Sequence, residues 1–530
     1  MESLQVTRLA LRLTQDTRMF TQHQMYHCEK QSLTLELIGR LVEALNTEKV
    51  VYCHWKSNLF LAQALSGKMD LDLLVDRRSL PQALTILTNL GFKHAIVKWG
   101  PGTPGVSHYY GFDPQTGQLA HVHLFSSVLT GESFVKSHLF PFEPMLLENA
   151  DYFGQIRVTP KPAELVLFIL RTFIKYSSPL DLMYLLRNSG DIRTELRWLQ
   201  SGSDISEALY LLEKYCPVID EPLFMESINT LNGTSSLFKR LMVAQRVRWR
   251  LRVYAKHTGS SRILAYIRWL WGQGQRRLGG KRKNKILNAG GTIIAFVGPE
   301  ATGKSTLVSA CGDWLSDAFA VKMVHAGKPP SSWLTLPVNI VLPLLRRVLP
   351  RLRTTRLEGH DSSVSTTQSQ LKVKGLASLI HALRSVTLAW DRRQLLLKTR
   401  RLAANGEIVI CDRYPSETIG AMDSPHLREN PKGGIISAVY NWLVRLEHRL
   451  YKQIPPPDIV LRLKVSIETA KRRNRERIKA GKETDTYIES RHRQSGEWHR
   501  SGTKYTHDMD TERPLAETIL SVKKTIWESL

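Results

Sequence analysis

The chain has 530 residues, with 74 Lys plus Arg against 48 Asp plus Glu, for a formal net charge of +26. Its 42% hydrophobic content is enough to bury real cores, which excludes wholesale disorder, and its length suits about three domains. Five scattered cysteines (Cys28, Cys53, Cys216, Cys311, Cys411) with no CxxC pair exclude a disulfide scaffold or zinc ribbon and fit a reducing cytosol. The apolar stretch 334–349 is broken by Pro337, Pro343, Arg346 and Arg347, short of the ~20 apolar residues a spanning helix needs. The first twenty residues lack an uninterrupted apolar core and a cleavage site. The expectation is therefore no membrane span, no secretory signal and a cytoplasmic location.

Taken along the chain, VVYCHW and LDLLV predict strands, and AELVLFILRTFIKY and PLDLMYLLRN predict helices. The first strand runs into Lys56-Ser57-Asn58. A helix-length gap later, Asp70-Leu-Asp72 opens the second. In a strand, residues 70 and 72 point to one face, where two carboxylates hold divalent metals. A small turn followed by an acid-x-acid strand resembles the nucleotidyltransferase fold, with Lys56-Ser57 standing where that fold has Gly-Ser or Gly-Gly. The resemblance implies an α+β domain with a helical tail over 1–235 and a third carboxylate on a neighbouring strand. The strand LAHVHLF offers His121 and His123 there instead, and Asp113 is a loop acid placed to compensate. Three readings stand open: an active transferase, a degenerate binding domain, or plain structural alternation.

Charge is uneven. No acidic residue occurs between Glu226 and Glu300, and fifteen Lys or Arg fall between Lys239 and Lys285. Residues 236–290 are expected to form a basic helical connector, FKRLMVAQRVRWRLRVYAKH being a basic amphipathic helix and 279–291 a Gly-containing joint. The segment reads either as a solvated connector or as a surface for anionic lipid, nucleic acid or polysaccharide. Trp249, Trp269 and Trp271 among the arginines suit either kind of surface.

Beyond it, TIIAFV, EIVICD and DIVLRLKV are β-rich runs separated by helical stretches, a pattern that predicts a parallel sheet covered by helices over 291–530. The first run leads into Gly298-Pro299-Glu300-Ala301-Thr302-Gly303-Lys304-Ser305, which fits G-x-x-x-x-G-K-[ST], and Thr306 continues into a helical pattern. Such a loop curls its backbone N–H groups around phosphate oxygens at a helix N-terminus. Lys304 would bridge the β- and γ-phosphates of ATP, and Ser305 would ligate Mg²⁺. The second run ends in Asp412-Arg413-Tyr414, an acid where Mg²⁺ needs a carboxylate and a guanidinium to meet a substrate phosphate. The third is followed by a cluster of Arg472, Arg473, Arg475 and Arg477, a candidate lid over transferring phosphoryl groups.

These three pieces, in this order, resemble the thymidylate kinase family of nucleoside monophosphate kinases. The resemblance implies that Glu300 contacts the acceptor's sugar hydroxyl. It places Arg392 and Gln394, in LAWDRRQ, on the acceptor helix, with Leu388 where the family has an aromatic and Trp390 nearby. It makes 509–515 the turn beside the donor adenine. With no Arg at 301 or 302, it assigns the catalytic cation to the lid arginines. The acceptor is then a phosphate monoester such as dTMP or a related nucleotide or sugar phosphate, held by Arg413 and Arg392, and a homodimer is implied. The alternatives are a nucleotide-binding regulatory module, or a nucleotidyltransferase carried by the N-terminal domain, serving polysaccharide or nucleotide-sugar metabolism.

Overall fold

The computed structural model describes residues 34–98, 102–131, 136–175, 189–233, 235–257, 261, 264, 267, 285–332, 335–336, 375–419, 421, 423–430, 434–476, 484–494 and 498–530. Arg477, Trp269, Trp271, all of PLDLMYLLRN and most of 327–370 lie outside these residues. Two compact units, Met1–Lys281 and Arg282–Leu530, divide the chain.

The first unit is built on a mixed sheet. Its strands are β1 (Tyr52–His54), β2 (Leu71–Val75), β3 (Lys93–Val97), β4 (Val106–Phe112), β5 (Leu119–Phe125), β8 (Asp151–Phe153) and β9 (Ile156–Val158). A separate hairpin, β6 (Val128–Thr130) with β7 (His138–Phe140), lies between β5 and β8 in sequence. Within the unit the sheet order is β3-β4-β5-β2-β1-β9-β8. β2 runs antiparallel to β1 and parallel to β5, with Asp72 beside His123. Asp70 sits one residue ahead of β2, so the acid-x-acid pair straddles the strand start instead of lying within it.

Helix α1 (Glu36–Thr47) buries Leu37, Ile38, Leu41, Val42 and Leu45 against the sheet core, and α2 (Leu80–Asn89) adds Ala83, Ile86 and Leu87. A second core gathers the helices. α3 (Lys161–Lys175) is apolar nearly all round, and a helix of that kind must be covered on several sides. It is covered by α4 (Ser189–Gln200), α5 (Ile205–Tyr215), α6 (Glu221–Asn232) and α7 (Leu237–Arg250). Helix α7 is the basic amphipathic segment expected as a connector. Val243, Ala244 and Val247 pack into the core of the first unit, while Phe238, Met242 and Trp249 stay exposed.

The second unit is a five-stranded, wholly parallel sheet of β10 (Thr292–Val297), β11 (Val321–His325), β12 (Ile408–Asp412), β13 (Ile459–Lys464) and β14 (Tyr505–Asp510). Its order is β11-β12-β10-β13-β14. The three central strands, β12, β10 and β13, are continuous hydrophobic runs because helices cover both faces, while the edge strands β11 and β14 are largely exposed. These helices are α8 (Lys304–Ser316), α9 (Gly375–Ala404), α10 (Ile435–Lys452), α11 (Ile467–Glu476), α12 (Asp485–Gln494) and α13 (Leu515–Ser529). The order reverses at β10, and in open α/β sheets ligands bind outside the carboxyl ends of strands at that point. Among the described residues no helix is long and apolar enough to cross a membrane.

Candidate functional site

The loop 298–303 leaves the carboxyl end of central strand β10 and enters α8 at Lys304. Two glycines are dictated by geometry. A Cβ on Gly298 would stand 2.6 Å from the Leu463 carbonyl oxygen, and Gly303 has φ +85°, where other residues are strained. Ala301 (φ 63°) takes the same left-handed conformation without being glycine. Lys304 is buried and folds back over its own loop. It donates to the carbonyls of Gly298 (3.0 Å) and Pro299 (2.6 Å) and to Thr302 Oγ1 (3.3 Å). Burial and the neighbouring Arg413 push its ammonium down to about 8, against the opposing carboxylates of Glu300, Asp412 and Asp423.

Ser305 Oγ donates to Asp412 Oδ2 at 3.0 Å, across from β10 to β12. Among the described residues, Asp412 Oδ1 and Glu300 Oε2 are buried oxygens without a hydrogen-bond donor. Unsatisfied buried acceptors are costly, so each calls for a cation, a hydroxyl or a water. A hydroxyl beside a carboxylate is a hard-oxygen donor set of the kind Mg²⁺ takes, which makes Ser305 and Asp412 a fitting pair. A cavity of about 450 Å³ opens over the loop, lined by Lys304, Ser305, Glu300, Asp412, Arg413 and Lys328, among others. His325 and Lys328, on and just beyond β11, are additions that sequence reasoning missed. The short half-exposed run VKMVH carries no strong strand signature.

Arg413 lines this cavity. Its backbone is left-handed (φ 75°), and its guanidinium lies 3.4 Å from Asp423. Such strain in a non-glycine residue gathers where a side chain must be aimed. Asp423 also holds Arg392 at 3.0 Å. Arg392 is 2% exposed and donates further to the carbonyls of Ala326 and Asp423 and to the Tyr451 hydroxyl. It is braced inside the unit, and Asp423 joins the two arginines expected at the acceptor. Gln394 is two residues farther along α9 and does not line the cavity.

The lid arginines are directed elsewhere. Arg473 donates to the Thr511 carbonyl, Arg475 pairs with Asp485, and Arg472 is exposed; none lines the cavity over the loop. The following helix, α12, supplies two residues that the sequence reading passed over. His492 Nε2 is 3.0 Å from the Glu300 carbonyl. Burial lowers Arg491, but the Tyr487 hydroxyl and the charges of Glu300 and Asp423 more than offset this, and the guanidinium is held above its ordinary range. Arg491 and His492 follow a charged stretch with no apolar period, so only their tertiary neighbours mark them.

In the first unit, Lys56, Ser57, Asp70, Asp72, His121 and His123 come together, but the carboxylates are already paired. Asp72 lies 3.1 Å from both Lys56 Nζ and His123 Nδ1, and Asp70 lies 2.6 Å from His121 Nδ1. Burial alone would raise Asp72, yet Lys56 and His123 pull it far below the usual carboxylate range, so it stays ionised. Asp113 is spent locally, accepting from the Leu37 and Thr116 amides and the Thr116 hydroxyl, and does not supply the compensating acid. Among the described residues no three His, Cys, Asp or Glu side chains converge as a metal ligand set. These residues therefore do not fit a two-metal centre.

Known proteins give limited company. No protein-family model matches the chain. An uncharacterized ATP-binding protein, YghR, of Escherichia coli strain K12 is 28% identical over 186 residues, covering 34% of this chain and 67% of that protein. Its counterpart in a second E. coli strain matches equally. Among solved structures, thymidylate kinase from Ehrlichia chaffeensis aligns at 17% identity and TM-score 0.24, over 45% of this chain and 99% of that one. Deoxyadenosine kinase from M. mycoides with bound dATP aligns at 16% and 0.25, over 44% and 98%.

Proposed function

We propose that the second unit is an ATP-dependent phosphotransferase of the nucleoside-monophosphate kinase type, acting on a phosphate monoester such as dTMP or a related nucleotide or sugar phosphate. The carrying observation is the grouping of Lys304, the Ser305–Asp412 pair and the donor-less oxygens of Asp412 and Glu300 around one cavity. The name of the E. coli relative, an ATP-binding protein, supports the donor.

In this reading the loop amides and Lys304 take the triphosphate. Phosphate oxygens replace the Gly298 and Pro299 carbonyls as partners of Lys304. Ser305 and Asp412 would hold Mg²⁺, which when bound offsets phosphate charge. Glu300 accepts from an acceptor hydroxyl, and Arg413 holds the acceptor's phosphate. An acceptor phosphate oxygen bonds to the γ-phosphorus as the bond from that phosphorus to the bridging oxygen breaks, and ADP leaves with the electron pair. Arg491, in place of the α11 arginines, is the candidate cation for the charge that develops, because it already feels Glu300 and Asp423.

The test is an ATP-coupled screen of pyrimidine, purine and sugar monophosphates. One acceptor should accelerate ADP release, and Lys304→Ala should abolish it. If no monophosphate accelerates ADP release, or Lys304→Ala turns over normally, the kinase reading fails.

A further inference from the structure

Helix α7 carries apolar side chains on two opposite faces. At about 100° per residue, Val243, Ala244, Val247 and the following Leu251 fall on one side, and all are buried in the first unit. Phe238, Met242 and Trp249 fall within an arc of about 40° on the other side, and all three are exposed, Phe238 by 74% and Trp249 by 59%. The buried face accounts for the place of the helix in the fold, and the outward residues add nothing to it. Single exposed apolar residues are ordinary, but an aligned set forms a patch.

The patch continues past the helix. Val253, one turn beyond Trp249, is 63% exposed. The chain there is fastened to the hairpin β6–β7, because Ala255 forms a β-bridge with His138 and the Lys256 amide donates to the Ser137 carbonyl at 2.8 Å. Val253, Leu139 and Tyr254 wall a cavity of about 770 Å³, which also holds Arg77, Arg78 and Lys256 against the carboxylates of Asp76 and Glu143. Asp76 follows the carboxyl end of β2, so this recess lies at the far end of that strand from Asp70. Farther along the chain, Leu264 and Ile267, at helical spacing, are again exposed.

Charge surrounds the apolar stripe. From 220 to 257 there are seven Lys or Arg against three acids, Asp220, Glu221 and Glu226. Arg246 and Arg250 pair with Glu226 and Asp220, and the Arg252 guanidinium lies 4.4 Å from the Trp249 ring. A nucleic acid or an acidic polysaccharide would use the cations but would leave Phe238, Met242 and Val253 in water. A lipid surface uses both. Apolar side chains enter the acyl boundary, Trp sits at head-group level, and long cationic side chains stay among the phosphates.

We propose that the outward face of α7 and the turn after it docks the protein peripherally on an anionic lipid bilayer. Phe238, Met242, Trp249 and Val253 enter the head-group and acyl boundary, and Lys239, Arg252 and their neighbours meet the lipid phosphates. This docking stands whether or not the second unit is a kinase.

Flotation of the full chain with lipid vesicles tests it. Vesicles of phosphatidylcholine with about 30% phosphatidylserine should carry the protein, and phosphatidylcholine alone should carry it about tenfold less. Phe238→Ser combined with Trp249→Ser should weaken binding to the anionic vesicles by about tenfold or more, with little change in melting temperature because both side chains are exposed. Lys239→Glu combined with Arg252→Glu should do the same through charge, and it keeps the test usable if the serine variant fails to fold. Tyr152→Ser, an exposed aromatic on β8, should change nothing. The proposal falls if the chain does not float, if it floats equally with both kinds of vesicle, or if either double variant, folded, floats like the wild type. A solution dimer that the serine variant converts to a monomer, with flotation unchanged, would give the face to a second copy and overturn the proposal. So would a DNA duplex bound equally by the wild type and the serine variant when neither floats.

Discussion

Asp412, half-buried, and Glu164, fully buried, are two acids put to opposite uses. Asp412 keeps one oxygen on Ser305 and leaves the other without a donor, the condition for a cation site. Asp412→Asn should raise the Mg²⁺ concentration for half-maximal phosphotransfer by about tenfold to a hundredfold, the range that changed metal coordination costs, with ATP binding in EDTA far less altered. Glu164 serves structure. It is fully buried, takes both the amide and the side-chain N–H of Asn58, and so pins the Lys56-Ser57-Asn58 turn to α3. Burial raises it to about 7, with the Asn58 bonds opposing. Between its ordinary 4.5 and 7 the unfolded chain releases the proton first, so the native state binds more protons and stability falls as pH rises through that window. Melting curves of the wild type and Glu164→Gln should show the variant gaining relative stability from pH 5 to pH 7. A constant offset would mean that Glu164 is ionised throughout.

At the scale of elements, the helix after β13 and its successor divide the work differently from their composition. Helix α11 carries the dense arginines, but its contacts are with Thr511 and Asp485, while α12 reaches the loop through His492 and Glu300. Arg491→Ala should therefore lower kcat by about a hundredfold to a thousandfold, the cost of removing one charge-stabilising donor, with ATP affinity changed much less. Arg475→Ala should leave kcat within a few-fold of wild type. Steady-state kinetics with the acceptor found by the screen distinguishes the two helices, and the reverse ranking would return the catalytic role to α11. Helix α7 teaches a similar point. Its arginines suggested a free connector, yet every third or fourth residue (Val243, Ala244, Val247) is apolar and buried, and that spacing fastens it to the first unit.

At the scale of the whole molecule, each unit has its own core. Phe224 is fully buried in the first and Phe296 in the second. Phe224→Ala should cost about 3–5 kcal/mol of the first unit's stability. The ATP affinity of Lys304 and its loop should change less than twofold, as read by calorimetry beside thermal melting. A matching loss of ATP affinity would show that the two units are energetically coupled.

The parallel sheet and the phosphate loop were legible before any coordinates. Strand, glycine loop and helix follow one another within about twenty residues, and each is governed by local rules: hydrophobic runs, φ at glycine, and the start of a helix. The strand LDLLV and its pairing partner LAHVHLF were legible for the same reason. What the tertiary structure alone decided is how side chains distant in sequence spend their charge. Asp72 could be read as a metal ligand until His123 and Lys56 were found on it. Arg392 could be read as a free acceptor-binding arm until Asp423 and Tyr451 closed around it. Arg246 and Arg250 could be read as free cations until Glu226 and Asp220 were found beside them. Periodicity reports which face of an element is apolar. It does not report which partner a charged side chain meets, because that depends on contacts between segments far apart in the chain, which no local pattern encodes.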